Sequence, residues 1–255
     1  MSNQIRVEWF KLQRNRTFWI LLLTSTCISA LLHYLVIIDW WQMGNTAFDS
    51  VDLSEMNALS TFTVPLFFNL IVGTLAAFFI SNEFSQSSVI KNQIISGSKR
   101  SHIFLAKYLI FSLASIVVTI LIPLIVGIIE VILLGYGEIF TPLNLLFLGR
   151  ALGLFSLQFL GYTAILVLLA VITEDSGKTI IFSIVFTIIM FAVEKLMRLP
   201  IINMLYENSI FYQFSEVFKC SMTYSELIES ILIAFVTIII LIWCGIYMFN
   251  KKEIK

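Results

Sequence analysis

Apolar runs at about residues 18–38, 59–81, 104–134, 145–172, 179–197 and 227–249 alternate with polar connections, and the runs are of a length to cross a bilayer as helices. The pattern predicts an all-α integral membrane protein: one transmembrane domain over 1–255 with six membrane helices. Ahead of the first run, residues 3–16 place Ile5, Trp9 and Leu12 at i, i+4 and i+7, with Arg6, Gln13 and Arg14 elsewhere on the wheel. That spacing predicts an amphipathic helix in the membrane interface. The first run ends without a small-residue cleavage pattern, so it is read as a retained helix and not a signal peptide.

The polar stretch 82–102 is basic and helix-patterned. Phe84, Ile90, Ile94 and Ile95 can share one side, while Lys91, Lys99 and Arg100 keep it wet. The third run is too long for a simple span, because about 31 residues reach roughly 46 Å against about 30 Å of hydrocarbon. Its first turns, Phe104 to Lys107, are expected to project from the membrane as a continuation of 82–102, and Pro123 and Gly127 allow a kink. Between the fifth and sixth runs, residues 200–224 are aromatic yet too polar to span, which predicts one or two short helices dipping into the interface.

Composition agrees with the pattern: 59% of the 255 residues are hydrophobic and 13% charged, with a mean hydropathy of +0.95. The formal net charge is zero, so nothing suggests nucleic acid as a partner. Position carries the charge argument instead. Arg6, Lys11, Arg14, Arg16, Lys91, Lys99, Arg100, Lys107, Lys178, Lys251, Lys252 and Lys255 all fall on one side of the predicted topology. The first connection on the other side carries Asp39, Asp49, Asp52 and Glu55 and no lysine or arginine. Both termini and 82–102 are therefore expected in the cytoplasm.

Two charges fall inside apolar runs. Glu130 and Arg150 lie at similar depth on helices joined by a short connection, close enough to pair. An unpaired charge at the helix centre costs about 2.5–3.5 kcal/mol on insertion scales. The readings open here are a structural ion pair, snorkelling to headgroups, and a substrate or proton site. Gly73 with Ala77, and Gly149 with Gly153, have the spacing that lets helix backbones approach, within one chain or between two.

Catalytic material is sparse. His33 and His102 are the only histidines, and Cys27, Cys220 and Cys244 are widely spaced, so neither a metal site nor a triad is predicted. Ser176-Gly177-Lys178-Thr179 resembles the end of a phosphate loop, but Ile172 stands where its leading glycine belongs. No cofactor is expected on this chain; ATP, if used, is bound by another.

The chain resembles the permease subunits of ABC-2 type transporters, especially short bacterial ones for antimicrobial or other peptides. The residues that carry the likeness are Glu8-Trp9-Phe10-Lys11-Leu12-Gln13-Arg14 and Glu83-Phe84-Ser85-Gln86-Ser87-Ser88-Val89-Ile90-Lys91, followed by Gly97, Arg100 and Lys107. Ser87 stands where glycine is usual and Lys91 where arginine is usual. The resemblance implies a bacterial cytoplasmic membrane, a second permease copy or paralogue, and a separate ABC ATPase that holds ATP and Mg. It also implies that the N-terminal helix (Trp9, Lys11, Leu12, Arg14) and the coupling segment 82–102 contact that ATPase.

Within that segment Phe84, Val89, Ile90 and Ile94 are the expected docking side chains, with Glu83 and Lys91 as polar anchors. A loop helix lying on lipid is the competing reading. Export of, or immunity to, an amphipathic antimicrobial or cytolytic peptide is the expected function. A drug, lipid or polysaccharide as cargo, and a scaffold or sensor that transports nothing, are the alternatives.

Overall fold

The protein is described by a computed structural model over residues 1–85, 88–195 and 200–252. Gln86 and Ser87 of the expected coupling segment, residues 196–199 after the fifth run and the last three residues lie outside that description. The described residues are helical with connecting turns and contain no strand. Six of the helical stretches are long and apolar enough to cross a membrane: Arg16–Ile37, Pro65–Phe84, Arg100–Leu133, Pro142–Thr173, Ser176–Glu194 and Tyr224–Lys251.

Helix α1 (Ser2–Arg14) ends where Asn15 turns extended. The Asn15 side chain then accepts the Phe18 backbone N–H at 3.1 Å and caps α2 (Arg16–Ile37). One residue therefore makes the corner between a surface helix and the first spanning helix. Along α2, Ser25, Ser29 and His33 form a buried polar stripe, which would be costly in an apolar bundle unless satisfied. The Ser25 hydroxyl donates to the Val118 carbonyl at 2.8 Å and Ser29 to that of Pro123 at 3.4 Å.

The run at 59–81 is split. Helix α3 (Leu59–Thr63) stops at extended Val64, and α4 (Pro65–Ala76) begins at the proline. A residue before proline is driven out of the helical region, and proline itself suits a first helical turn. A π turn over Ala77–Ser81 carries α4 into α5 (Asn82–Ser85), and α6 (Ser88–Ile95) follows beyond the undescribed pair. Gly97, at φ +85°, ends α6 in the left-handed conformation that favours glycine.

Helix α7 (Arg100–Ile116), a π turn over Val117–Leu121 and α8 (Ile122–Leu133) form the long third span. The disturbance lies just before Pro123, which sits in the first turn of α8. Gly127 has a different role from a kink: a Cβ there would lie 2.4 Å from His33 Nε2, so only glycine lets the imidazole lie against α8.

Thr141 caps α9 (Pro142–Thr173), and α10 (Ser176–Lys195) follows after left-handed Glu174. Beyond it come α11 (Pro200–Glu207), α12 (Ile210–Glu216) and α13 (Tyr224–Lys251), the last opened by a capping box of Thr223 and Glu226. Helix α12 is tucked into the bundle, because its Phe211 and Phe214 are buried. Phe68 of α4 meets Tyr162 of α9 at 5.0 Å and Phe214 at 5.2 Å between ring centroids, edge to face.

The bundle thus has two distinct ends. One holds α1, α6 and the C-terminal turn of α13; the other holds the 38–58 connection, α11 and α12.

Candidate functional site

At the α6 end, Glu8 and Lys11 of α1, Glu83 of α5 and Lys107 of α7 converge. Lys107 Nζ lies 3.0 Å from Glu8 Oε2 and also pairs with Glu83 Oε2. Lys11 Nζ lies 2.8 Å from Glu8 Oε1 and 3.0 Å from Glu83 Oε2. Gln93 of α6 donates to Glu8 Oε1 at 3.1 Å. Two carboxylates and two ammonium groups balance, and one cluster ties α1, α5, α6 and α7 together.

Its setting makes the cluster strong. Glu8 is 0% exposed and Lys107 2%. Stripping water from such ions costs several kcal/mol each, recovered only by close pairing and hydrogen bonding. Burial by itself would raise the Glu8 carboxyl. Lys107 and Lys11 beside it, with hydrogen bonds from Lys11 and Gln93, outweigh that and hold it below the usual glutamate value.

A second set of contacts fastens the same end to α13. Arg100 Nη1 donates to the carbonyls of Phe249, Asn250 and Lys252 at 3.2, 3.0 and 2.6 Å, closing off the helix terminus. Lys252 pairs with Glu174 at 2.6 Å. Gly245 lies under the Phe104 ring, where a Cβ would stand 2.2 Å from Cζ.

Two of the expected docking side chains face the wrong way for docking. Phe84 is buried edge-on against Phe249, with ring centroids 5.5 Å apart, and Ile90 is 1% exposed in the core. The apolar stripe of 82–102 is satisfied by the chain's own bundle, as an amphipathic helix over a core should be. Ile94 packs against that core and Val89 is half-buried, while Glu83 belongs to the ion cluster. Lys91, Asn92 and Ile95 face outward, Ile95 at 73% exposure. On α1, Leu12 is buried, Trp9 is exposed, and Arg14 lies over the Phe10 ring at 4.2 Å.

The structure does not bring Glu130 and Arg150 together. Arg150 donates to the carbonyls of Lys219 and Cys220, the latter at 3.2 Å, and lies over the Phe147 ring. Glu130 Oε2 is buried without a hydrogen-bond partner. Similar depth on neighbouring helices left the rotation of each helix open, and Arg150 is turned toward the chain after α12.

Gly73 and Ala77 serve packing inside the chain: a Cβ on Gly73 would lie 2.7 Å from Ser183 Oγ of α10, and the Ala77 carbonyl accepts from Ser176 at 3.0 Å. Gly149 and Gly153 have no neighbour within 4 Å of an added Cβ. Among the described residues no group of three His, Cys, Asp or Glu is placed to hold a metal.

Glu8 and Lys107 were missed as site residues in the reading of the sequence. The available signal was a lone lysine inside an apolar run, which must find an internal partner.

The buried ion cluster joins a surface helix to two spanning helices and lies beside a polar helix that faces outward. The family comparison is specific: residues 4–194 match the model described as ABC-2 family transporter protein, and the chain belongs to that family. It is a multi-pass membrane component of a transporter that works with an ABC ATPase. No curated protein and no solved structure matches the chain.

Proposed function

We propose that this chain is the permease of an ATP-driven exporter whose ATPase docks on the outward face of α6 and moves the bundle through the Glu8–Lys11–Glu83–Lys107 cluster. The observation that carries this reading is the division of α6. Its Lys91, Asn92 and Ile95 are exposed, while Gln93 on the same helix holds Glu8 in the cluster. A partner that changes shape with ATP shifts the permease only through contacts that differ between its states. Force applied to α6 reaches α1, α5 and α7 through charges that are costly to separate.

In this reading the α6 end and both termini face the cytoplasm of a bacterial cell, consistent with the lysine and arginine bias. ATP and Mg bind in the partner. A second permease chain completes the pathway, and Gly149 and Gly153 leave a backbone face open for close helix contact. The cargo is an amphipathic antimicrobial or cytolytic peptide, exported or expelled as self-protection. Aromatic residues concentrated at the α12 end suit a bulky amphipathic molecule better than a small ion.

Reconstitution with the ATPase tests the reading. ATP-dependent movement of an amphipathic peptide in proteoliposomes supports it. Movement of a lipid or polysaccharide alone replaces the cargo, and ATPase binding without transport leaves a scaffold or sensor.

A further inference from the structure

Helix α1 is divided by charge. Arg6, Phe10 and Arg14 recur every four residues along one side and are exposed, while Glu8 and Leu12, spaced alike on the other side, are buried. Glu8 is the one acidic residue of α1, and Lys11 is held in the ion cluster. The outward face therefore carries positive charge without a carboxylate. Val7 and Trp9, also exposed, add apolar surface beside the arginines.

The corner at Asn15 sets the depth of that face. Arg16, exposed as well, opens a spanning helix of 22 residues, whose length of about 33 Å matches the hydrocarbon of a bilayer. Trp19, one turn further in, donates its indole N–H to the Gln13 carbonyl at 2.8 Å and ties the last turn of α1 to the first turn of α2. Arg14 and Arg16 are thus placed where hydrocarbon gives way to headgroups, beside a tryptophan at the level that residue favours.

These arginines are open to a ligand. Arg14 lies over the Phe10 ring at 4.2 Å, a contact through the face of the guanidinium that leaves its N–H edge free. Among the described residues, none of Arg6, Arg14 and Arg16 forms a side-chain hydrogen bond or ion pair within the chain. Guanidinium groups keep their charge and match phosphate oxygens in pairs. A face that alternates them with apolar side chains, at this depth, is complementary to a negatively charged lipid surface.

We propose that the outward face of α1, with Arg16 at its corner, binds the headgroups of anionic phospholipids. The inference goes beyond the transport reading and does not depend on the cargo. Glu8 on the inner side of the same helix belongs to the ion cluster, so headgroups and cluster hold α1 from opposite sides.

Dioleoyl phosphatidylglycerol and dioleoyl phosphatidylcholine, alike in their chains and different in headgroup charge, are suitable probes. The full-length chain in detergent is titrated with each, and bound lipid is counted by mass spectrometry that preserves the complexes. Phosphatidylglycerol should bind about tenfold more tightly than phosphatidylcholine. Combined Arg6→Gln, Arg14→Gln and Arg16→Gln should remove most of that preference. Lysine at the same three positions should keep most of it, and Lys178→Gln, which removes an exposed charge outside α1, should leave it unchanged.

Equal binding of the two lipids by the wild-type chain overturns the proposal, as does a preference that survives the glutamine variant or is lost equally with lysine. The wild-type comparison and the lysine variant preserve the test should the glutamine variant fail to fold. A glutamine variant that keeps its lipid preference and no longer co-purifies with the ATPase assigns the face to protein contact and overturns the proposal. No ATPase is present in the lipid titration, so its failure leaves coupling through α6 standing.

Discussion

Glu8 and Lys107 are separated by 99 positions in the chain and by 3.0 Å in space, and both side chains are buried. Their contact turns α1 from a surface helix into part of the bundle. Lys11 and Glu83 complete the cluster, so motion of α1, α5 or α7 is resisted by charges that cannot be parted cheaply.

Removing one member should therefore cost far more than removing a pair. Lys107→Met leaves two carboxylates sharing Lys11 and should destabilise the fold by about 3–5 kcal/mol. Glu8→Leu combined with Lys107→Met leaves the Lys11–Glu83 pair and should recover a large part of that loss. Thermal unfolding of Lys107→Met, Glu8→Leu and the double variant in detergent checks this; losses that simply add would remove the coupling between the two residues.

The cluster should also make the α6 end acid-sensitive. Glu8 has its pKa lowered in the folded chain, so its contribution to stability is fully present above the ordinary glutamate range. The contribution is lost as pH falls through and below that range, because the unfolded chain then binds the proton more readily. Wild-type protein should melt earlier as pH is lowered from neutral. Glu8→Gln, weaker at neutral pH, should show a shallower decline in the same titration of the melting point.

Gly245 and Phe104 test the attachment of α13. The Phe104 ring occupies the place of a side chain at 245. Gly245→Val should cost about 1–3 kcal/mol through overpacking, and Phe104→Leu should partly restore it by shortening the opposing side chain. Protease susceptibility of the C-terminal helix, measured beside the melting point, should follow the same order.

Much of the fold was legible because the bilayer demands long apolar helices, and six such stretches are present in the sequence and the structure alike. Val64-Pro65 was a visible break, yet the continuous apolar run hid it, and Leu59–Thr63 proved to be a separate helix. The site was legible in its parts and not in its pairing. The Glu83-Phe84 pair, Lys91 and Lys107 stood out as a pattern, but nothing local says that Lys107 meets Glu8. Periodicity showed that Phe84 and Ile90 needed an apolar partner without saying whose, and the chain's own Phe249 is the partner of Phe84. Glu130 and Arg150 show the same limit: depth along a helix follows from counting residues, while rotation about its axis depends on packing.

The exposed face of α6 gives the central claim its most direct test. The Lys91→Glu and Ile95→Asp double variant alters only side chains that point away from the bundle, so its melting point should stay within about 0.5 kcal/mol of wild type. Co-purification with the ATPase, and the stimulation of ATP hydrolysis by the permease, should both be lost. A complex that survives intact with full stimulation would contradict coupling through α6.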